Sequence, residues 1–251
     1  MATGFEFDDN GGSGKGRGGG DGGAEDADPG GTAGGFFDFP LTPIEVVARR
    51  HAILCTVGFL ILLPLGVLLA RYARTFTRRW FWGHAVIQLV LSGPVIFAGV
   101  AMGFNAAKML ELENLEDPHQ KIGVSLIALY VIQLLVGIFI HFVKMGKLFG
   151  GHRPPQNYFH VVLGLAILAL AAYQVHYGLY TEWLLTGGLH QVPGSAKHAW
   201  LALIIVFWVL YFLGMALLPR QFSREREGRQ QMRLAAKTGT GPKEVEESRA
   251  A

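Results

Sequence analysis

Cysteine is nearly missing from this chain: Cys55 is alone among 251 residues. A lone thiol excludes a disulfide framework, a cysteine zinc site and a cysteine-ligated iron–sulfur cluster. The string C-x-x-C-H does not occur, so any haem is not attached covalently in the c-type way. Charge is the second scarcity, at 16% of residues, against about 25% in soluble chains. No basic-then-apolar leader opens the sequence. The glycine-rich run 14–20 has no strand-like stretch before it and no helix-like stretch after it, which excludes a dinucleotide fingerprint.

What is present explains the low charge. Of 41 charged residues, 13 fall in 1–50 and 13 in 219–251, which leaves 15 for the 168 residues between. Those 15 cluster, and five charge-free runs remain at 52–70, 80–107, 122–143, 154–181 and 198–219. Their lengths are 19, 28, 22, 28 and 22 residues, and a membrane helix needs about 20. The expected fold is therefore all-α: a polytopic membrane bundle of five transmembrane helices. The pI near 9.0 does not imply nucleic acid, because the basic residues stand beside the spans, where membrane topology accounts for them.

Three segments are expected. Residues 1–45 form a glycine-rich acidic tail, 46–219 the membrane domain and 220–251 a charged tail on the cytosolic side. The first 35 residues hold 14 glycines and no hydrophobic periodicity; such a stretch buries too little apolar surface to offset its ordering entropy, so disorder is expected. Residues 1–45 carry nine acidic side chains against Lys15 and Arg17.

Orientation follows from Lys and Arg near the span ends. One face receives twelve: Arg71, Arg74, Arg78, Arg79, Lys144, Lys147, Arg153, Arg220, Arg224, Arg226, Arg229 and Arg233. The other receives five: Arg49, Arg50, Lys108, Lys121 and Lys197. This predicts a cytoplasmic C-terminus, a non-cytoplasmic N-terminus and a first span acting as a reverse signal anchor, in the plasma membrane or an endomembrane.

Nine histidines in so apolar a chain need an account, since ionisable groups at membrane depth are costly and mark function. His51 opens the first span, His84 lies near the start of the second, His119 immediately precedes the third and His160 lies near the start of the fourth. Antiparallel spans alternate their starts, so His51 and His119 share one leaflet and His84 and His160 the other. In a four-helix core, alternate helices face each other diagonally, a geometry that fits two bis-histidine haems stacked along the membrane normal. Gly123 and Gly164 stand four residues after His119 and His160, on the same helix face, where they would leave room for a flat macrocycle. Cys55 and Gln88 hold that offset after His51 and His84. Spacing alone does not select four ligands from nine. His141, His152, His176, His190 and His198 each fit an interfacial, hydrogen-bonded role, and a metal or proton-relay site at His176 and His198 is a second reading.

At these residues the sequence resembles the cytochrome b561 core domain. HAILCTVGFLILLPLGVLLARY (51–72) and WFWGHAVIQ (80–88) resemble its first two haem-bearing helices, DPHQKIG (117–123) its third and NYFHVVLG (157–164) its fourth. The likeness covers about residues 45–220 and is nearest to the form that fungi and plants join to an extracellular DOMON domain, for which the first 45 residues are too short. Six-span, ascorbate-dependent members have one helix more than the five spans expected here.

The resemblance implies two non-covalent haem b groups, with His51 paired to His119 and His84 to His160 as axial ligands. It also implies transmembrane electron transfer from a cytosolic reductant, such as ascorbate, to a non-cytoplasmic acceptor such as ferric iron or monodehydroascorbate. Arg71, Arg78, Arg79, Lys144 and Arg153 fit an anionic reductant, although the positive-inside bias alone would place them there. Membrane lipid, the two small redox partners, an extracellular redox protein and a second copy of the chain are the partners expected, and nucleic acid is not. From another class, a haem-free transporter or scaffold would use the histidines as proton or metal sites.

Overall fold

The structure, a computed structural model, describes residues 40–77, 79–112, 115–143, 154–185 and 188–238. Five helices in it are long and apolar enough to cross a membrane: α1 (Pro43–Ala73), α2 (Trp80–Met109), α3 (Pro118–Phe142), α4 (Pro155–Leu185) and α5 (Gly194–Met215). A sixth, α6 (Leu218–Thr238), follows α5 after a two-residue turn and is strongly charged.

Side-chain caps fix where two of these helices, α1 and α3, begin. Thr42 caps α1: Thr42 N donates to Glu45 Oε2 at 2.8 Å and Glu45 N to Thr42 Oγ1 at 3.4 Å, with Pro43 in the first turn. Glu45, counted with the acidic tail above, is thus part of the first helix. Asp117 caps α3 by accepting from Gln120 N at 3.1 Å, again just before a proline. His119 therefore lies in the first turn of α3 instead of preceding its span.

Prolines inside α1 and α2 produce the local change expected of them. Pro64 and Pro94 lack an N–H, and each is preceded by a widened, π-type stretch, Val57–Leu62 and Val86–Leu91. Neighbours take up carbonyls in the second stretch: Ser92 Oγ donates to Ile87 O at 2.8 Å and Tyr130 Oη to Gln88 O at 2.6 Å.

The spans pack as two antiparallel hairpins, α1–α2 and α3–α4, with α5 against α1 and α4. The shared core runs through Phe59, Leu60 and Leu63 of α1, Ile96 of α2, Leu126 and Tyr130 of α3, Ile167, Leu168 and Ala171 of α4, and Phe207 and Tyr211 of α5. The outward faces are apolar as well: Val131, Ile132, Leu135, Ile138 and Phe139 of α3 are all exposed. A face of that size is untenable in water and ordinary in lipid. The chain is an integral, multi-pass membrane protein. At the α1–α2 turn, α6 is attached by Arg224, which donates to Thr75 O, and by Arg220, whose guanidinium lies 5.1 Å from the Phe76 ring centre.

Candidate functional site

Each of the four candidate histidines stands near the start of its own helix, and the fold brings them together in two pairs. In the α1–α2 hairpin the helices exchange ring-to-backbone bonds. His51 Nδ1 of α1 lies 2.8 Å from Gly99 O of α2, and His84 Nδ1 of α2 lies 2.9 Å from Gly66 O of α1. A carbonyl only accepts, so both rings carry their proton on Nδ1 and leave Nε2 free as a ligand. Such a bond fixes ring orientation and raises ligand basicity.

The α3–α4 hairpin supplies the facing rings. His119 sits opposite His51, ring centres 6.0 Å apart and planes at 73°. His160 sits opposite His84 at 6.4 Å and 76°. His51 and Gly66 are 15 residues apart on α1 and serve opposite pairs, which separates the two sites by roughly 22 Å at 1.5 Å per residue. That separation is comparable with a bilayer core, which is about 30 Å thick.

Two facing imidazoles per site suit an iron porphyrin. Such a group, bound there, would take one ring nitrogen from each member of a pair, His51 with His119 and His84 with His160. Among the described residues no three His, Cys, Asp or Glu side chains cluster as a metal-binding group, so neither site offers the donor set of a protein-only metal centre. Space has been cleared at the rings. A Cβ on Gly103 would lie 2.8 Å from His51 Cε1, one on Gly178 3.3 Å from His119 Cε1, and one on Gly137 3.2 Å from His160 Cε1. The residues present fit haem b at both sites.

The glycines four residues after His119 and His160 have a different use from the one expected. A Cβ on Gly123 would meet Gln174 Nε2 at 3.4 Å, and one on Gly164 would meet Gln133 Nε2 at 2.8 Å. An amide from the opposite helix fills the space that a macrocycle was expected to need.

Three of the five remaining histidines are held by local contacts. His141 stacks flat on Phe81, centres 3.8 Å apart. His176 stacks on Tyr180 at 4.4 Å and lies 5.0 Å from Trp200. His190 Nδ1 is 3.1 Å from the buried Glu45 carboxylate, and its backbone N–H donates to Glu45 Oε1 at 2.9 Å. His198 is exposed on α5, and His152 lies outside the described residues. Of the candidate reductant residues, Arg78, Lys144 and Arg153 also lie outside them. Arg71 and Arg79 are at the His84 end, with the Arg71 guanidinium 5.3 Å from the centre of the Tyr211 ring on α5.

Gly66, Gly99, Gly103, Gly137 and Gly178 were not singled out in the sequence, nor were Gln133 and Gln174. A signal for some of them is visible there. The pattern H-x3-G-x9-Q-x3-G occurs at 119–137 and again 41 residues later at 160–178.

Comparison with known proteins places the chain in a family. Residues 50–185 match the family of eukaryotic cytochrome b561. A cytochrome b561 and DOMON domain-containing protein of Arabidopsis thaliana is 24% identical over 149 residues, 57% of this chain and 38% of that protein. A second protein of the same description from the same plant is 27% identical over 137 residues, 53% of this chain and 28% of that protein. The chain thus spans well under half the length of these relatives. No solved structure is significantly similar to it. The matched stretch takes in more than half the chain and contains all four facing histidines, and the chain belongs to the eukaryotic cytochrome b561 family.

Proposed function

We propose that this protein moves electrons across its membrane through two b-type haems, one held by His51 and His119, the other by His84 and His160. The observation that carries the reading is the pair of facing imidazole couples, 6.0 and 6.4 Å apart, at opposite ends of one bundle. Bound there, haem b supplies reversible one-electron chemistry at a potential set by ligands, burial and hydrogen bonding.

The chain's residues supply the rest. Gly99 O and Gly66 O hold the His51 and His84 rings in the Nδ1–H tautomer, so Nε2 is presented without rearrangement. Leu126, Tyr130, Ile96 and Ile167 fill the middle of the bundle at 2% exposure or less and exclude water between the two sites. Two sites divide a distance that one cofactor near one face would not bridge. The twelve basic residues that the sequence counts for the side on which the His84 span starts make that side the cytosolic one under the positive-inside bias, and favour an anionic reductant there such as ascorbate. The acceptor at the His51 end is then ferric iron, monodehydroascorbate or an extracellular redox protein.

The test is a reduced-minus-oxidised spectrum of the purified protein with haem quantified per chain. Two b-type haems, reduced by ascorbate added on the basic side of proteoliposomes, are expected. Folded protein that remains colourless when expressed with ample haem would overturn the proposal in favour of a haem-free transporter.

A further inference from the structure

The two hairpins hold their histidines differently, and the difference singles out two glutamines. His119 Nδ1 and His160 Nδ1 are buried and have no hydrogen-bond partner among the described residues, unlike the same atoms of His51 and His84. What is held instead is the backbone. Gln174 Nε2 of α4 donates to His119 O of α3, and Gln133 Nε2 of α3 donates to His160 O of α4, both at 2.7 Å. Each amide reaches its carbonyl over a glycine four residues beyond the histidine: a Cβ on Gly164 would press on the Gln133 amide at 2.8 Å, and one on Gly123 would touch the Gln174 amide at 3.4 Å. Four residues beyond each glutamine, Gly178 or Gly137 leaves room for the edge of the histidine ring on the other helix. The repeated H-x3-G-x9-Q-x3-G string is thus one clamp used twice, each helix holding the other.

The clamp leaves polar atoms over: Gln133 Oε1 and Gln174 Oε1 are both buried with no hydrogen-bond partner among the described residues. A leucine or methionine would pack in either place without orphaning an oxygen, so packing alone does not account for an amide there. Both amides donate to the same atom, the carbonyl of a ligand histidine, at opposite ends of the bundle.

We infer that Gln133 and Gln174 are positioning residues, each setting the depth and tilt of one haem ligand by holding its backbone carbonyl: Gln174 for the His51–His119 site and Gln133 for the His84–His160 site. This rests on the haem reading above. Its distinctive consequence is selectivity, because each glutamine addresses one haem and leaves the other alone. A generic interhelical hydrogen bond would affect the whole α3–α4 hairpin instead.

The experiment uses full-length protein with Gln174→Met and Gln133→Met, which keep side-chain length and remove the amide, and Gln174→Ala as a harsher variant. Electron paramagnetic resonance and a redox titration resolve the two low-spin haems. Gln174→Met should alter the signal and midpoint of one haem and weaken its retention on the order of tenfold, the low end for loss of a supporting contact to a metal ligand. Gln133→Met should do the same to the other haem. The unaffected haem in each variant reports that the bundle has folded. Unchanged signals in both methionine variants, or equal disturbance of both haems in each, would overturn the inference and leave the haem reading intact. Wild-type protein without haem would remove that reading and this inference with it.

Discussion

In the α1–α2 hairpin the imidazoles of His51 and His84 are held by their rings, at Gly99 O and Gly66 O, whereas in the α3–α4 hairpin His119 and His160 are held through their backbone carbonyls. Each site takes one ligand from each hairpin, so both pair a ring-anchored imidazole with a backbone-anchored one. The contrast between hairpins therefore produces similarity between sites. On the proposed reading, a difference in potential between the two sites would come from their surroundings. These do differ: His119 lies beside Tyr177, ring centres 6.1 Å apart, while His84 lies 6.2 Å from Trp80, which also receives Arg74 at 5.1 Å.

The comparison can be broken most severely by removing a ligand. His84→Ala and His160→Ala should each abolish the same haem and retain the other, halving the haem per chain, and His51→Ala and His119→Ala should do the same at the opposite site. Pyridine haemochrome analysis of the four variants checks this, and any variant that loses both haems would contradict the independence of the sites. A smaller effect is expected at Gly103. A leucine there would drive its Cβ into the His51 ring and should cost about 1–3 kcal/mol in overpacking, reducing haem at the His51 site only. The smallest is Tyr130→Phe, which removes the bond from Tyr130 Oη to Gln88 O between the sites. Thermal unfolding should show a loss of about 1 kcal/mol, with both haem spectra unchanged.

The charge-free runs were enough to find the spans, since all five helices contain most of one. Alternating span starts also put His51 near His119 and His84 near His160, which are neighbours in the bundle. Helix starts were less legible, because Thr42–Pro43 and Asp117–Pro118 initiate helices in polar sequence that hydropathy assigns to tail or loop. The supporting contacts were least legible of all. Gly99 and Gly66 act through carbonyls, which every residue has, so nothing in their type marks them as acceptors. Gln133 and Gln174 are defined by what lies across the helix interface, and only the 41-residue repeat betrays them. The Glu45–His190 contact joins residues 145 apart, and charge counting placed its carboxylate in the tail.

The most direct measurement of the central claim is the number of low-spin haem centres per chain, resolved by electron paramagnetic resonance during an anaerobic redox titration of wild type and His84→Ala side by side. Two facing histidine pairs predict two centres in wild type and one in the variant, with the surviving centre unshifted. A single centre in wild type, or two in His84→Ala, would contradict the account.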